Sequence, residues 1–381
     1  MPELNKAEYL RYSRHLVMPE IGPAGQQRLK AARVLCVGAG GLGSPAALYL
    51  AAAGIGHLGI AEFDTLDLSN LQRQVLYASD EVGQPKLDAA CARLAALNPE
   101  ITIQPHPMRL EADNVMALIE GYDVIIDGSD NFATRYLLNA ACIAAGKPDV
   151  HASVLRFEGQ LTVFDARQGP CLRCLFPEPP PAELVPSCSE GGVLGVIPGI
   201  LGSLQALEAI KLVLGIGEPL IGRLLLVDGL GMHFRELELR RDPQCPGCGP
   251  HRESSGSYEV FSASWAAHNG GSAQPAASTI SPAALAVRLA GGDPPRVLDV
   301  RQAQEYAIAH IEGSLLLPLD ELEQGLRQLD PTAHYVLTCH HGGRSERAWQ
   351  QLRMAGFERI SVLEGGIDAW ALTVDRELPR Y

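Results

Sequence analysis

A chain of 381 residues exceeds what one small hydrophobic core supports and points to two domains, on a prior of roughly 150 residues each. Charged residues make up 20% and apolar residues 46%, an ordinary soluble balance. The net charge of -13 speaks against a nucleic-acid backbone as the main ligand, because phosphate binding needs a basic face, although it leaves room for a local basic pocket.

The first residues, MPELNKAEYLRYSRHL, hold no apolar run and no signal cleavage pattern, so a cytoplasmic location is expected. From Arg33 to about Asp165 strand and helix patterns alternate. Strands are predicted at 34–38, 57–63, 101–105, 123–127 and 161–164, and helices at 43–53, 86–97, 112–120 and 133–145. Such alternation predicts an α/β fold, a mostly parallel Rossmann-like sheet with helices on both faces. Residues 176–186 are proline-rich and predict an exposed crossover loop. The most apolar stretch runs from Gly191 to Gly217. Gln205, Glu208 and Lys211 interrupt it, which favours a buried core helix near 195–214 over a membrane span. Strands are expected at 223–228 and 234–240. Residues 251–278 turn to Ser, Gly, Ala and His and predict a flexible linker. A smaller α/β unit follows, with helices at 282–289 and 345–354 and strands at 296–300, 335–338 and 360–363. The expected domains are therefore 1–250 and 279–381.

Gly38, Gly40, Gly41 and Gly43 fall between a predicted strand and a predicted helix. Three of them form GxGxxG, in which the first permits a tight turn and the second lets the backbone approach a phosphate. Asp64 ends the second strand, where an acid can bind ribose hydroxyls. These residues predict a nucleotide without choosing ATP over NAD. Arg73 and Lys86 can neutralise charge building on a phosphoryl group, and Asn70 can orient one. Asp130 follows a buried strand on the same sheet edge, where it can hold Mg²⁺.

The runs GAGGLGS at 38–44, FDTLDLSNLQRQ at 63–74, VGQPK at 82–86 and DGSDNFATR at 127–135 resemble the ubiquitin-activating-type adenylyltransferases. The likeness is greatest to those serving molybdopterin synthase and the thiamine pathway, and covers residues 1 to about 249. It implies ATP as the nucleotide and a small ubiquitin-fold sulfur carrier, ending in Gly-Gly, as the substrate. Its terminal carboxylate would attack the α-phosphate to give an acyl-adenylate and pyrophosphate. The resemblance further implies that Asp64 binds ribose, that Asn70, Arg73 and Lys86 bind phosphates, and that Asp130 binds Mg²⁺. Arg14 matches an arginine that such enzymes reach across a homodimer interface.

Nine cysteines in a reducing compartment point to metal or catalysis before disulfides. Cys171, Cys174, Cys245 and Cys248 form two CxxC knuckles, a fit for tetrahedral Zn²⁺. Cys188 stands apart, after the crossover and before a glycine-rich helix start, as a candidate catalytic thiol. Cys339 is the strongest candidate. It opens the run Cys339, His340, His341, Gly342, Gly343, Arg344 between a strand and a helix. A loop curled around the sulfur would aim backbone N–H groups at it, with Arg344 beside it. A cysteine phosphatase also places C…R before a helix, but the six-residue loop suits sulfur. With Asp299-Val300-Arg301, Glu305-Tyr306, His310-Ile311-Glu312-Gly313 and Gly365-Gly366-Ile367-Asp368-Ala369-Trp370, residues 279–376 resemble the rhodanese sulfurtransferases.

Together these features predict an enzyme that adenylates a carrier's terminal glycine and delivers sulfur from a Cys339 persulfide to form a thiocarboxylate. The pathway expected is molybdopterin synthesis, with thiosulfate or a cysteine desulfurase as donor. Carriers for thiamine, cysteine or thio-siderophore synthesis or tRNA thiolation are alternatives. An NAD-dependent oxidoreductase and a non-catalytic scaffold stand further off. No nucleic acid or membrane partner is expected.

Overall fold

The computed structural model describes residues 2–179, 191–250 and 277–381. Cys188, most of the proline-rich crossover and nearly all of the expected linker lie outside the described residues. The chain divides into two compact units, Met1–Gly270 and Gly271–Tyr381.

The first unit opens with three short helices, α1 (Lys6–Arg11), α2 (Ser13–Leu16) and α3 (Gly22–Ala31). Their polar faces left no periodic signal in the sequence. Asn5 and Glu8 cap α1 reciprocally, each side chain accepting the other's backbone N–H. Next come β1 (Arg33–Val37), α4 (Gly43–Ala53), β2 (His57–Ala61), α5 (Lys86–Leu97), β3 (Thr102–His106), α6 (Val115–Glu120), β4 (Val124–Asp127) and α7 (Phe132–Ala145). Nearly every residue of β1, β2 and β4 is buried, as strands covered on both faces must be. Helices α4 and α7 end at Gly54 and Gly146, both in the left-handed region that glycine adopts without cost.

The predicted strand at 161–164 is the end of a longer β6 (Glu158–Phe164), paired antiparallel with β5 (Asp149–Leu155). β5 went unrecognised because Asp149, His151 and Ser153 break its apolar run. The first two are buried, and His151 is paired there. A short α8 (Leu172–Leu175) precedes α9 (Val196–Leu214), β7 (Arg223–Asp228) and β8 (His233–Glu238). The sheet order is β3-β2-β1-β4-β5-β6-β7-β8. It is parallel from β3 to β5 and antiparallel from there to β8. The chain leaves β1 toward β2 and later returns to its other side as β4. That reversal opens a crevice at the carboxyl ends of β1 and β4, where open α/β sheets bind ligands.

Helix α9 is long and apolar enough to cross a membrane by length and composition alone. Here it packs on α4, β5 and β6. Gln205 is fully buried and donates from Nε2 to the carbonyls of Asp127 and Val150, both at 2.8 Å. Those bonds pin α9 to the sheet beside the crevice, which is the buried core helix expected.

The second unit is a five-stranded parallel sheet. Its elements are β9 (Thr279–Ile280), α10 (Pro282–Leu289), β10 (Arg296–Asp299), α11 (Ala303–Ile308), β11 (Leu315–Leu316), α12 (Leu322–Gly325), β12 (Tyr335–Thr338), α13 (Gly343–Met354), β13 (Ile360–Leu363) and α14 (Gly366–Thr373). The order is β11-β10-β12-β13-β9, with β12 at the centre. Two-residue strands and one-turn helices carry too little periodicity to be read from sequence, so β9, β11, α11 and α12 were missed, as was α14. Helix α13 begins two residues before the predicted start, directly behind the Cys339 loop.

Candidate active sites

The crevice of the first unit is a cleft open to solvent. Gly38, Gly40 and Gly41 form one wall. Gly38 has φ +85°, and a Cβ on Gly43 would stand 1.9 Å from the Gly38 carbonyl oxygen, so the turn into α4 admits no side chain there. Asp64, Arg73, Lys86 and Asp130 line the same cleft. Lys86 is only 6% exposed, and its Nζ sits 3.3 Å from Asp64 Oδ2. Arg73 anchors one guanidinium nitrogen on the Ser69 carbonyl at 3.0 Å.

Gly43 and Asn70 are not among the lining residues. Gly43 lies against the Gly38 carbonyl behind the turn. Asn70 ends a one-turn 3-10 helix, where its Oδ1 accepts the Asp67 N–H at 3.2 Å. Arg14 lies exposed on α2 and does not reach this cleft.

Glu62 joins the cleft residues that the sequence motifs mark. It directly follows β2, is buried, and lines the cleft. Its Oε2 accepts the Ala39 N–H at 3.0 Å, and its Oε1 accepts the N–H groups of Phe63 and Asp64 at 2.8 and 3.0 Å. The carboxylate thus fastens the glycine turn to the end of β2. An acid immediately after the second apolar strand was the signal that could have found it.

A buried polar cluster supports the floor of the cleft. Asp127 Oδ1 accepts from Ser129 N and Oγ at 2.9 and 2.5 Å, and Oδ2 accepts from His151 Nδ1 at 2.8 Å. Burial works against the Asp127 charge, but hydrogen bonds from His151 and Ser129 and the charge of nearby Arg135 hold its carboxyl below the usual range. Burial keeps His151 below the usual imidazole value despite Asp127, so the pair is carboxylate and neutral imidazole. Burial and the Asp127 charge push Asp149 well up. Arg135, the last residue of DGSDNFATR, lines the cleft and donates from Nη2 to the Ser129 carbonyl at 3.1 Å.

The four knuckle cysteines converge. Their sulfurs all lie within 4.8 Å of one another, with Cys171–Cys245 at 3.6 Å, Cys174–Cys248 at 3.5 Å and Cys171–Cys174 at 4.0 Å. Four sulfurs each ~2.3 Å from a tetrahedral ion would be ~3.8 Å apart, so the cluster fits zinc. The hydrogen bond with Cys171 lowers Cys174 to about 5, while burial and Cys174 push Cys248 up to about 12. Bare thiols therefore cannot all ionise together, which a cation would remedy.

In the second unit Cys339 follows the central strand and is 2% exposed. Gly342, at φ +121°, turns its N–H onto the sulfur at 3.1 Å. Among the described residues that is the single backbone N–H bonded to Sγ, where several were expected. The carbonyls of Cys339 and His340 accept N–H groups of Ile367 and Asp368 at the start of α14, at 2.8 and 3.2 Å. Arg344 closes the loop, and its Nη1 and Nη2 grip Glu305 bidentately at 2.6 and 2.7 Å. The Asp299–Arg301 pair, fully buried, stands behind them. His340 is buried, His341 is exposed, and their rings stack at 4.0 Å.

Both units match known protein families. Residues 12–247 match the ThiF family, and residues 281–373 match the rhodanese-like domain. The chain is 45% identical to the probable adenylyltransferase/sulfurtransferase MoeZ of Mycobacterium tuberculosis, covering 99% of this chain and 96% of that one. It is 42% identical to the adenylyltransferase and sulfurtransferase MOCS3 of Mus musculus, covering 99% and 88%. A sulfur carrier protein adenylyltransferase of Thermus thermophilus is 50% identical over 67% of this chain and 97% of its own. Among solved structures, MccB of E. coli with ATP superposes with a TM-score of 0.56 at 23% identity, covering 62% and 74%, a likeness of fold.

Proposed function

The chain belongs to the ThiF family and carries a rhodanese-like domain after it, and from that premise we propose how its two sites work in one reaction. The protein is an adenylyltransferase and sulfurtransferase acting on a ubiquitin-fold sulfur carrier. The first unit, with residues 1–250 as its adenylation domain, uses ATP. Residues 251–278 link it to the sulfurtransferase domain at 279–381.

One observation carries the adenylation half. Lys86 and Arg73 face a glycine turn whose backbone is open to a phosphate, and Asp130 stands on the same edge. A carboxylate oxygen at the carrier's terminal glycine attacks the α-phosphorus, and the bond to pyrophosphate breaks. Lys86 and Arg73 neutralise the charge that builds there. On nucleotide entry Lys86 exchanges its weak hold on half-exposed Asp64 for phosphate. Glu62, directly at the strand end, takes the ribose hydroxyls together with Asp64. Asn70 keeps the Arg73 turn in place. Asp130 holds Mg²⁺, which would supply charge neutralisation at the triphosphate. Arg14 reaches the site of a second copy in a homodimer, which fits its exposure outside its own cleft.

Sulfur follows. The outer sulfur of a Cys339 persulfide attacks the acyl carbon, and AMP leaves. Cys188 then attacks the Cys339 sulfur, freeing the thiocarboxylate and leaving a Cys188–Cys339 disulfide for a thiol reductant to reopen. Thiosulfate or a cysteine desulfurase loads Cys339. Cys171, Cys174, Cys245 and Cys248 hold a structural zinc. The product serves molybdopterin synthesis or a related thiolation pathway in the cytoplasm.

The test of the first half is ATP–pyrophosphate exchange with a carrier ending in Gly-Gly. Exchange that needs the carrier and is lost in Lys86→Ala supports the proposal. Retention of NAD, or carrier binding without exchange, would overturn it.

A further inference from the structure

Residues 374–381 lie beyond the stretch matched by the rhodanese-like family, which ends at 373. They nevertheless fold onto the sulfur loop. Leu378 packs on the cluster that contains Ile280, Leu285 and Trp370. Arg380 pairs with Asp368 at 2.7 Å, and the Asp368 N–H holds the His340 carbonyl. Tyr381 then lies flat on the His340 ring, 4.5 Å between centroids and 6° from parallel. Its hydroxyl accepts from Arg301 Nη1 and donates to Glu305 Oε1 at 3.3 Å. The same Glu305 carboxylate grips Arg344. Tyr381 is thereby connected to the second residue of the loop by stacking and to its last residue through Glu305.

Between those two points stand Gly342 and Gly343, which have no side chains to fix them. A glycine pair loses more conformational freedom on ordering than any other, so an outside brace has most effect there. We propose that Tyr381 is a positioning residue for sulfur transfer. It clamps the 339–344 loop closed so that the Gly342 N–H stays on the sulfur. The inference rests on the reading that Cys339 carries sulfur.

The test uses the full chain as wild type, Tyr381→Phe, Tyr381→Ala and Cys339→Ala. Thiosulfate loads Cys339: the thiolate attacks the outer sulfur and sulfite leaves. Cyanide discharges it: carbon attacks the outer sulfur, thiocyanate leaves and the thiolate returns. The discharge rate, the KM for thiosulfate, the rate of Cys339 alkylation by iodoacetamide and the unfolding midpoint are measured together. Misplacement of a reacting group by a fraction of an ångström costs roughly tenfold or more, so Tyr381→Ala slows discharge ~10-fold. It also speeds alkylation several-fold, with the midpoint unchanged. Tyr381→Phe keeps the stack and restores both rates to within about threefold. Wild-type rates in Tyr381→Ala, or equal losses in both variants with a lowered midpoint, would overturn the clamp. If wild type discharges no faster than Cys339→Ala, the sulfur reading fails instead, and the alkylation rates still decide whether Tyr381 closes the loop.

Discussion

Asp127→Asn is the sharpest probe of the cleft's foundation. The wild-type carboxylate is fully buried and accepts three hydrogen bonds, two from Ser129 and one from His151. Asparagine keeps an oxygen for Ser129 but turns an amide toward His151. The charge-assisted bond gives way to a neutral one that needs the other His151 tautomer, and the Ser129 pair weakens. Bonds to charged groups contribute ~1.5–3 kcal/mol each, so the variant is expected to lose about 2 kcal/mol. For a unit of this size that corresponds to a fall of roughly 4–8 °C in the unfolding midpoint. The transition to follow is the one that Mg-ATP raises, since ligand binding stabilises only the unit that binds it. Ser129 and Asp130 follow directly in the turn, so ATP–pyrophosphate exchange falls in the same variant. Asp127→Ala, which leaves His151 and Ser129 bare, is expected to lose more, about 3–5 kcal/mol. A midpoint within about 1 °C of wild type for Asp127→Asn would show that the cluster does not support the cleft.

Removing zinc with a chelator, or introducing Cys174→Ser, lowers the midpoint of the first unit and releases bound metal; a metal-free wild type of full stability would refute the zinc site. Gly43→Ala abolishes nucleotide binding, because the new Cβ meets a carbonyl oxygen at 1.9 Å; retained affinity would show that the turn can open. Stability also falls with acid in a definite window. Burial holds His151 and His340 below the usual imidazole value of 6.5, so each binds a proton more readily when unfolded. Their contribution is complete above that value and is lost as pH falls below it. Asp127, held below the carboxylate range, keeps its own contribution to lower pH. Asp149, pushed up by burial, acts in the opposite sense in the first unit. The clean test is therefore the second unit, which holds His340 and not Asp149. A urea midpoint of that unit equal at a pH of about 5.5 and about 7.5 would contradict the His340 direction.

The sequence revealed most where periodicity and chemistry coincide. The buried parallel strands show as unbroken apolar runs, and the glycine turn, the knuckles and the Cys339 loop show as fixed spacings. What stayed hidden depends on pairing across the fold. Asp149 and His151 made β5 look like loop because their partner Asp127 and the enclosing core are invisible along the chain. Asp64 drew attention as the motif's acid, while Glu62, two residues earlier, holds the glycine turn. Arg344 shows in sequence as the residue that closes the loop, but its partner Glu305, 39 residues away in the chain, does not. Tyr381 had no motif at all, and only the folded chain brings it to His340.

The most direct measurement is the intact mass of a Gly-Gly-ended carrier after incubation with Mg-ATP and thiosulfate, with wild type and Cys339→Ala side by side. The account predicts that the carrier exchanges one oxygen for one sulfur with wild type only. An unchanged carrier in every reaction, across several candidate carriers, or equal conversion by Cys339→Ala, would contradict it.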